Sequence, residues 1–316
     1  MLSRTADHLY WMARYMERAE NLARMLDVSY RTSLLPQTGD QTEKNWQRLL
    51  TIMGIDAIYR DKYGAIASDD VIEFMIFDPE NPSSIHNCLR YTRENAHAVR
   101  GTLTSELWET SNATWLSMRD GGARKRIREK GLGEFFEWVK YRSHLSRGVT
   151  LGTMLQDDAL RFIRLGTFLE RADNTARILD AKFRALPAGT VLAEPAADYY
   201  PWSALLNSVS AFEVYRKVYR DLITPMRVAE LLVLRADMPR SLSRCMKEVY
   251  GNLQAVANRR SEETERRAGE LEAALRFGRI ETIVSGDLNT WLAGFLDRIL
   301  DLGNRIADDF LVPATG

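Results

Sequence analysis

One short segment that carries both acidic and basic side chains occurs twice in the chain. Residues 15–21 read YMERAEN and residues 168–174 read FLERADN, so that Glu17-Arg18 and Glu170-Arg171 stand at matching places. A carboxylate beside a guanidinium can join two helices as a partly buried ion pair. In a cleft, a carboxylate with a strongly shifted pKa can instead act as a catalytic acid or base.

Eight charged residues on these segments form the candidate site, and no residue is assigned as a catalyst. They are Glu17, Arg18, Glu20, Arg24, Glu170, Arg171, Asp173 and Arg177. Glu20–Arg24 and Asp173–Arg177 are four residues apart in the favourable order, which contributes only ~0.2–0.5 kcal/mol on an exposed helix. A solvated face can exchange Glu for Lys or Ser at little cost, yet both segments keep the same order of charges.

Three interpretations of these charges stay open at this point. They tie helices together through partly buried ion pairs, they form a surface for a partner or ligand, or they are a solvated face. We favour the first interpretation, because both segments keep their charges. It predicts that Glu170→Ala destabilises the fold by more than about 2 kcal/mol, since the lost carboxylate leaves its buried partner uncompensated.

The elements that position these charges are predicted from hydrophobic periodicity. Apolar residues recur in steps of three and four over residues 9–30, 162–183 and 280–310, which is typical of amphipathic helices. Residues 71–77 have some strand character, but Glu73 interrupts the apolar run and favours a helix. Glycines at 148–152 predict a break between elements. The fold class is therefore all-α.

A longer duplication accompanies the charged segments. Aromatic, serine and cysteine residues match in order between the two halves, at separations that drift only from 153 to 157 positions. The clearest of these matches are Trp46 with Trp202, Tyr59 with Tyr215, Tyr63 with Tyr219, Ser84 with Ser241 and Cys88 with Cys245. They predict one helical bundle, a single domain over residues 1–316, built from two tandem repeats of about 155 residues, approximately 1–152 and 153–316. Equivalent helices are expected to face one another, and whether the repeats share one core stays open.

Composition excludes several classes of protein. The 316 residues contain 43 Lys plus Arg and 43 Asp plus Glu, and this balance argues against a dedicated nucleic-acid binder. The longest stretch without charge, residues 199–212, is too short for a membrane helix and contains Pro201. Charged residues near the start exclude a signal peptide. Two cysteines cannot build a disulfide framework, so we expect a cytoplasmic protein.

The sequence resembles the alpha-E family, bacterial all-α proteins named for their Glu-Arg motif. The matching stretches are MLSRTA at 1–6, RYMERAEN at 14–21, and GVT and GTM within 148–154. Ala13, Thr167 and Gln156 depart from the usual residues of the family. Members are commonly encoded beside, or fused to, a circularly permuted ATP-grasp ligase. The resemblance therefore implies a non-catalytic or co-catalytic helical accessory protein, partner of such a ligase in a peptide-forming or peptide-modifying system.

A second hypothesis makes the chain an enzyme in its own right. It would act on a peptide or carboxylate substrate in a cleft between the repeats, with Glu17, Glu170 and their paired arginines as candidate groups. An open pocket lined by both pairs would favour this hypothesis, whereas charge pairs locked together favour the accessory protein. The sequence does not decide whether the chain forms homo-oligomers.

Other chemistry finds little support in the sequence. Only one Glu-x-x-His unit occurs, Glu94 to His97, and its counterparts Gly251 and Gln254 cannot complete a carboxylate-bridged metal site. Phosphate loops and a Gly-x-Ser-x-Gly nucleophile turn are absent. We therefore expect neither metal nor cofactor. Asp157 is expected to cap the helix that follows it.

Two stretches are candidates for a partner surface. The basic run contains Arg124, Lys125 and Arg126, which an acidic partner would fit, although a solvated surface is the favoured explanation of the run. Tyr199 and Tyr200 lie in a predicted loop between prolines and have no counterpart in the first half. Tyrosine is enriched at the centres of protein interfaces.

Overall fold

The computed structural model describes residues 1–36, 38–119, 121–187, 190, 192–196 and 198–311. Within these ranges the chain forms sixteen α-helices and no strand, which confirms the all-α prediction. The chain divides into two compact units, Met1–Thr167 and Phe168–Gly316. No described helix combines the length and the apolarity that a bilayer crossing requires.

The first unit is built around its long first helix. This helix, α1 (Ser3–Ser33), packs against both α5 and α8, which are far from it in sequence. The other helices of the unit are α2 (Gly39–Met53), α3 (Asp56–Tyr63), α4 (Ser68–Ile76), α5 (Ile85–Ala98), α6 (Ser105–Met118), α7 (Gly122–Lys130) and α8 (Leu132–Thr153). The next helix, α9 (Asp158–Arg184), begins in the first unit and continues into the second.

Helix α1 buries the apolar stripe that its sequence predicts. Leu9, Met16 and Leu26 are among its buried residues, and Glu17 and Glu20 of the same helix are buried as well. At the start of α9, Gly166 lies so close to the carbonyl oxygen of Tyr10 that a Cβ atom would collide with the backbone. The residue type at position 166 therefore sets how closely these two helices pack.

Caps and tyrosine bonds fix the short helices of the first unit. Thr38 accepts a hydrogen bond from the backbone N–H of Gln41 and starts α2, and Ser84 does the same for α5 through Asn87. Buried Tyr59 donates its hydroxyl to the carbonyl of Ala65, which closes the loop that follows α3.

The second unit contains seven further helices, again with a side-chain cap and a tyrosine hydrogen bond to a loop. They are α10 (Tyr199–Ser208), α11 (Phe212–Tyr219), α12 (Pro225–Val233), α13 (Leu242–Ala255), α14 (Glu262–Arg276), α15 (Ile280–Ser285) and α16 (Leu288–Ile306), followed by a π-helical turn, Ala307–Leu311. Buried Tyr215 donates its hydroxyl to the carbonyl of Leu222 at 3.0 Å, and Ser241 caps α13 through the N–H of Arg244. Helix α14 packs between α13 and α16.

Some sequence predictions about individual elements are confirmed and others are wrong. Residues 71–77 are helical within α4 except for the last residue, as predicted, and Asp157 caps α9 by accepting from the N–H groups of Ala159 and Leu160. The break predicted at 148–152 is wrong, because α8 passes through both glycines. Glycine lowers helix propensity without blocking a helix, and buried Thr150 holds this turn in place.

The single long helix predicted over 280–310 is also wrong. Gly286 and Asp287 separate α15 from α16, and Asp287 has a left-handed φ of 68°. Its carboxylate accepts hydrogen bonds from the N–H groups of Asn289 and Thr290, so it caps the second helix. The periodic apolar residues continue across this turn, which is why periodicity alone missed it.

Candidate functional site

Two buried carboxylates of α1 are held by side chains of α8. Glu17 and Glu20 are 1% and 0% exposed. The Nη1 atom of Arg147 donates to Glu17 Oε2 at 3.1 Å and also to Glu20 Oε2, so one guanidinium joins both acids. Ser143 Oγ donates to the same Glu20 oxygen at 2.7 Å. We call these four residues the α1–α8 brace.

Arg24 occupies the other oxygen of Glu20. Its Nε donates to Glu20 Oε1 at 2.9 Å, one turn along α1. Its Nη2 lies 3.0 Å from Nε2 of His144 on α8. A guanidinium only donates, so Arg24 is the donor in any hydrogen bond between these two side chains.

A second set of charges continues the brace toward the end of α1. Buried Asp27 accepts from Lys140 Nζ at 2.9 Å and from Arg31 Nε at 2.8 Å. The hydrogen bond from Arg31 to Asp27 raises the pKa of Arg31 above its ordinary value. Lys140 also donates to Glu137 at 2.6 Å. The packed faces of α1 and α8 thus alternate acids and bases over several turns.

The geometry of the brace limits what it can do chemically. A general base must reach the proton that it removes, within hydrogen-bond distance or through one water. Glu17 and Glu20 expose almost no surface, and both oxygens of Glu20 already accept hydrogen bonds. Their chemistry in this state is charge pairing between two helices.

Sequence reasoning identified the acids of the brace but missed their partners on α8. Ser143 is buried in α8, and Arg147, whose side chain is 31% exposed, lies one turn further along the same helix. No sequence pattern near either residue connects it to Glu17 or Glu20. The motif arginine, Arg18, lies elsewhere, with its guanidinium 5.6 Å from the centre of the Tyr15 ring.

The second charged segment has different surroundings. Glu170 and Arg171 are both buried, and the Nη1 of Arg171 donates to the carbonyl of Pro239 at 3.5 Å, just before α13. One turn further on, Asp173 and Arg177 form a 2.8 Å ion pair whose arginine is 43% exposed. The structure therefore buries the first two charges of this segment and leaves the last two near the surface.

The predicted basic surface is largely paired with acids of its own unit. Arg124 bonds to Glu73 and lies 4.0 Å from the centre of the Phe77 ring. The hydrogen bond to Glu73 raises the pKa of Arg124. Arg126 donates to Glu134 at 3.0 Å, which leaves Lys125 as the most exposed cation of the three.

Tyr199 and Tyr200 are exposed, but their predicted loop conformation is wrong. Helix α10 begins at Tyr199, capped by the carboxylate of Asp198. Pro201 lies within the first helical turn, where proline is tolerated because the N–H groups have no partner in the helix. The two rings therefore project from a helix end.

An open groove of about 380 Å³ lies beside the brace. It combines two aromatic side chains with charges of both signs, and it is lined by Arg24, Glu134, Glu137, Trp138, Lys140, Tyr141 and His144. Among the described residues, no three His, Cys, Asp or Glu side chains converge as a metal ion would require.

Comparisons with known proteins give a family and a few relatives. The family model Alpha-E, a predicted alpha-helical domain with a conserved ER motif, matches residues 1–311. Uncharacterized proteins from Mycobacterium bovis (strain ATCC BAA-935 / AF2122/97) and Mycobacterium tuberculosis (strain CDC 1551 / Oshkosh) are each 25% identical over 295 residues, covering 86% of this chain. That region is 32% of each relative, so the chain spans about a third of their length. No solved structure matches the chain.

Proposed function

The chain belongs to the Alpha-E family, and on that premise we propose that it is a non-catalytic or co-catalytic accessory protein. Its partner would be an ATP-grasp-type ligase, of the circularly permuted kind, in a peptide-forming or peptide-modifying system. The α1–α8 brace carries this proposal. It uses the charges of the first ER segment to fix two long helices against each other, which suits a rigid binding module.

The lengths of the relatives support an accessory role. In each mycobacterial relative the matching region occupies 32% of the chain. The same helical region is thus joined to a large additional segment in those proteins. A region that makes up about a third of a longer chain in these relatives fits a module that works together with other domains.

The alternative, an enzyme acting on a peptide or carboxylate substrate, has weaker support. It requires a carboxylate with one face open to substrate. Glu17 is 1% exposed and Glu170 is 5% exposed. The candidate acids of both segments are therefore buried.

Recovery of a partner tests the accessory role. The full chain carries an affinity tag in its own host, is purified at low ionic strength, and the proteins that accompany it are identified by mass spectrometry. We expect an ATP-grasp ligase among them. Absence of any ligase, together with peptide turnover by the purified chain that Glu17→Gln abolishes, would favour the enzyme.

A matched pair of charge reversals locates the binding surface. Lys125→Glu changes the exposed cation of the predicted partner surface, and Lys44→Glu changes an exposed cation on α2. We expect the first variant to recover less ligase than the second. Equal recovery of ligase from both variants would show that α7 is not part of the interface. That result would not contradict the accessory role.

We also propose that the chain is a tandem duplication of about 155 residues. Similar hydrogen bonds around one tyrosine in each half support this duplication. Tyr59 accepts from the N–H of Ala67 and Tyr215 from that of Thr224, and each tyrosine donates to a loop carbonyl nearby. Eight described helices, α1–α8, are followed by eight more, α9–α16.

A cytoplasmic location is part of the same proposal. Neither Cys88 nor Cys245 forms a disulfide, and both are buried, which suits a reducing compartment. Fractionation of host cells followed by detection of the tagged chain tests it, and recovery from the periplasm or medium would contradict it.

A further inference from the structure

One face of α5, with the turn that follows it, carries a row of arginines and histidines. His86, Arg90, Arg93 and His97 are spaced four, three and four positions apart, so they lie on one side of the helix. Arg100 follows in the turn after α5, where its backbone N–H donates to the carbonyl of His97 at 3.3 Å. All five residues are partly or fully exposed to solvent. We call them the α5 basic row.

Aromatic rings hold the arginines of the row in place. The guanidiniums of Arg93 and Arg100 lie 5.6 Å and 5.3 Å from the centre of the Trp108 ring on α6. The guanidinium of Arg90 lies 4.7 Å from the centre of the Tyr91 ring and donates to the Tyr91 hydroxyl at 3.0 Å. Stacking on a ring orients a guanidinium while its N–H groups still point outward. The arginines are therefore positioned in advance for an anion, which lowers the entropy cost of binding.

The arginines of the row have few carboxylate partners. Neither Arg90 nor Arg100 pairs with a carboxylate of any described residue, and Arg93 pairs only with its neighbour Glu94, at 3.1 Å. The Nε atom of Arg90 is also buried without a hydrogen-bond partner in the described part of the chain. The predicted basic surface on α7 differs, because all three of its cations pair with acids. The α5 basic row therefore keeps positive charge that its own unit does not pair.

The histidine at the start of the row links it to α7. Burial lowers the pKa of His86, and the positive charges of Arg90 and Arg124 lower it further. The His86 ring also lies 5.0 Å from the ring of Trp115 on α6. Because a guanidinium stays protonated in proteins, the three arginines supply the permanent charge of the row.

We propose that the α5 basic row binds an acidic peptide segment of a partner protein, whose carboxylates accept hydrogen bonds from Arg90, Arg93 and Arg100. The planar fork of arginine matches the two oxygens of a carboxylate. The ten positions from Arg90 to Arg100 correspond to about 15 Å at the helical rise. Carboxylates on one side of an extended peptide repeat about every 7 Å, so three acids at alternate positions span a similar length.

A single-stranded nucleic acid fits this surface less well. Proteins that bind single strands stack the bases on open aromatic rings. Trp108 is half-buried, and it already lies against two guanidiniums and the ring of His97, which is 5.6 Å away. The whole chain also contains 43 acids and 43 bases, a balance that does not favour a polyanion with many phosphates. The row therefore suits a short run of carboxylates better.

Fluorescence anisotropy with a labelled hexaglutamate peptide tests the proposal. The full chain is titrated into the peptide at low ionic strength, and we expect saturable binding. Arg90→Gln combined with Arg100→Gln should weaken it at least about tenfold, since two charged hydrogen-bond donors are lost. Arg216→Gln is the matched control, because Arg216 is an exposed helical arginine 6.0 Å from the centre of the Phe212 ring. This control should leave the affinity unchanged.

The single variant Arg100→Gln keeps the test decisive if the double variant unfolds. Arg100 is exposed, so its substitution should preserve the helical circular dichroism and still weaken binding several-fold. Absence of hexaglutamate binding, or equal weakening by Arg216→Gln, would overturn the proposal. Tighter binding of hexathymidylate than of hexaglutamate would also overturn it, by assigning the row to nucleic acid. The peptide binds the purified chain without a ligase, so this proposal and the accessory role can fail separately.

Discussion

The two charged segments of the chain have similar sequences and different surroundings. In the first unit, Glu17 and Glu20 are buried and share one guanidinium from α8. In the second unit, Arg171 donates to a backbone carbonyl before α13, and Asp173 pairs with Arg177 near the surface. The comparison teaches that the helix packed against a motif, as much as the motif, determines which charges are buried.

Removal of the shared guanidinium should be the most damaging change. Arg147→Ala leaves two adjacent buried carboxylates without their common partner, and we expect unfolding free energy to fall by about 3–5 kcal/mol. Urea titration measures this loss, and hydrogen exchange shows whether α1 and α8 lose protection first. A loss below about 1 kcal/mol would mean that the brace contributes little.

Glu170→Ala tests the second segment in the same way. Because Glu170 is buried, we expect a loss of more than about 2 kcal/mol in the same titration. A change below about 0.5 kcal/mol, as for a surface residue, would show that only the first segment is structural.

Tyr59 and Tyr215 each hydrogen-bond to the loop that follows their helix, and removing either hydroxyl should destabilise the protein to a similar extent. The two charged segments, by contrast, should respond differently to substitution. Tyr59→Phe and Tyr215→Phe each remove a hydroxyl that both donates to and accepts from backbone groups. We expect each to cost about 0.5–1.5 kcal/mol, because each change removes a part-buried hydrogen bond from the tyrosine hydroxyl to a loop carbonyl. Costs that differ by more than about 1 kcal/mol would show that the similar contacts are not energetically equivalent.

Lowering the pH should destabilise the fold of the first unit by protonating the Asp78 carboxylate. Burial raises the pKa of this carboxyl, but hydrogen bonds from Lys62, the N–H of Glu80 and Tyr63 outweigh that effect and hold it below its ordinary 3.8. The folded pKa therefore lies below the unfolded one. The stabilisation is fully present above pH 3.8 and is lost as pH falls through the folded pKa.

Asp78→Asn should remove this part of the pH dependence. Stability of the wild type and the variant, measured between pH 6 and pH 3, should converge at the acid end. Parallel curves over the whole range would contradict the assignment. The same carboxylate, together with burial, raises the pKa of Tyr63 to about 12.

The smallest effect is expected at the exposed pair of the second segment. Arg177→Ala breaks an ion pair on a helix surface, and such pairs contribute about 0.5 kcal/mol or less. A loss of unfolding free energy above about 1 kcal/mol would show that Arg177 contributes as much as a buried charge. In that case Arg177 and Arg24 would not differ in their effect on stability.

Much of the helical framework was predictable from local pattern. Steps of three and four located α1, and a single glutamate separated helix from strand in α4. Local pattern failed where tertiary packing or turn geometry decided the outcome. Gly148 and Gly152 stay helical because α8 is anchored by residues on its other face. Gly286 and Asp287 separate α15 from α16 although the apolar period continues across them.

The acids of the candidate site were also predictable, since the ER segments repeat. Their partners were not. Glu17 and Arg147 are 130 positions apart, and no local spacing connects them. Only the packing of α8 on α1 brings the guanidinium to the carboxylates, and that packing is set by many apolar side chains together.

The 130 positions between Glu17 and Arg147 affect when the brace can form during translation. Glu17 leaves the ribosome well before Arg147 is translated, which at about 5–20 residues per second takes on the order of ten seconds. Throughout that interval two carboxylates on the nascent helix have no guanidinium from α8 and must stay hydrated. Completion of the α1–α8 brace therefore waits for the translation of α8.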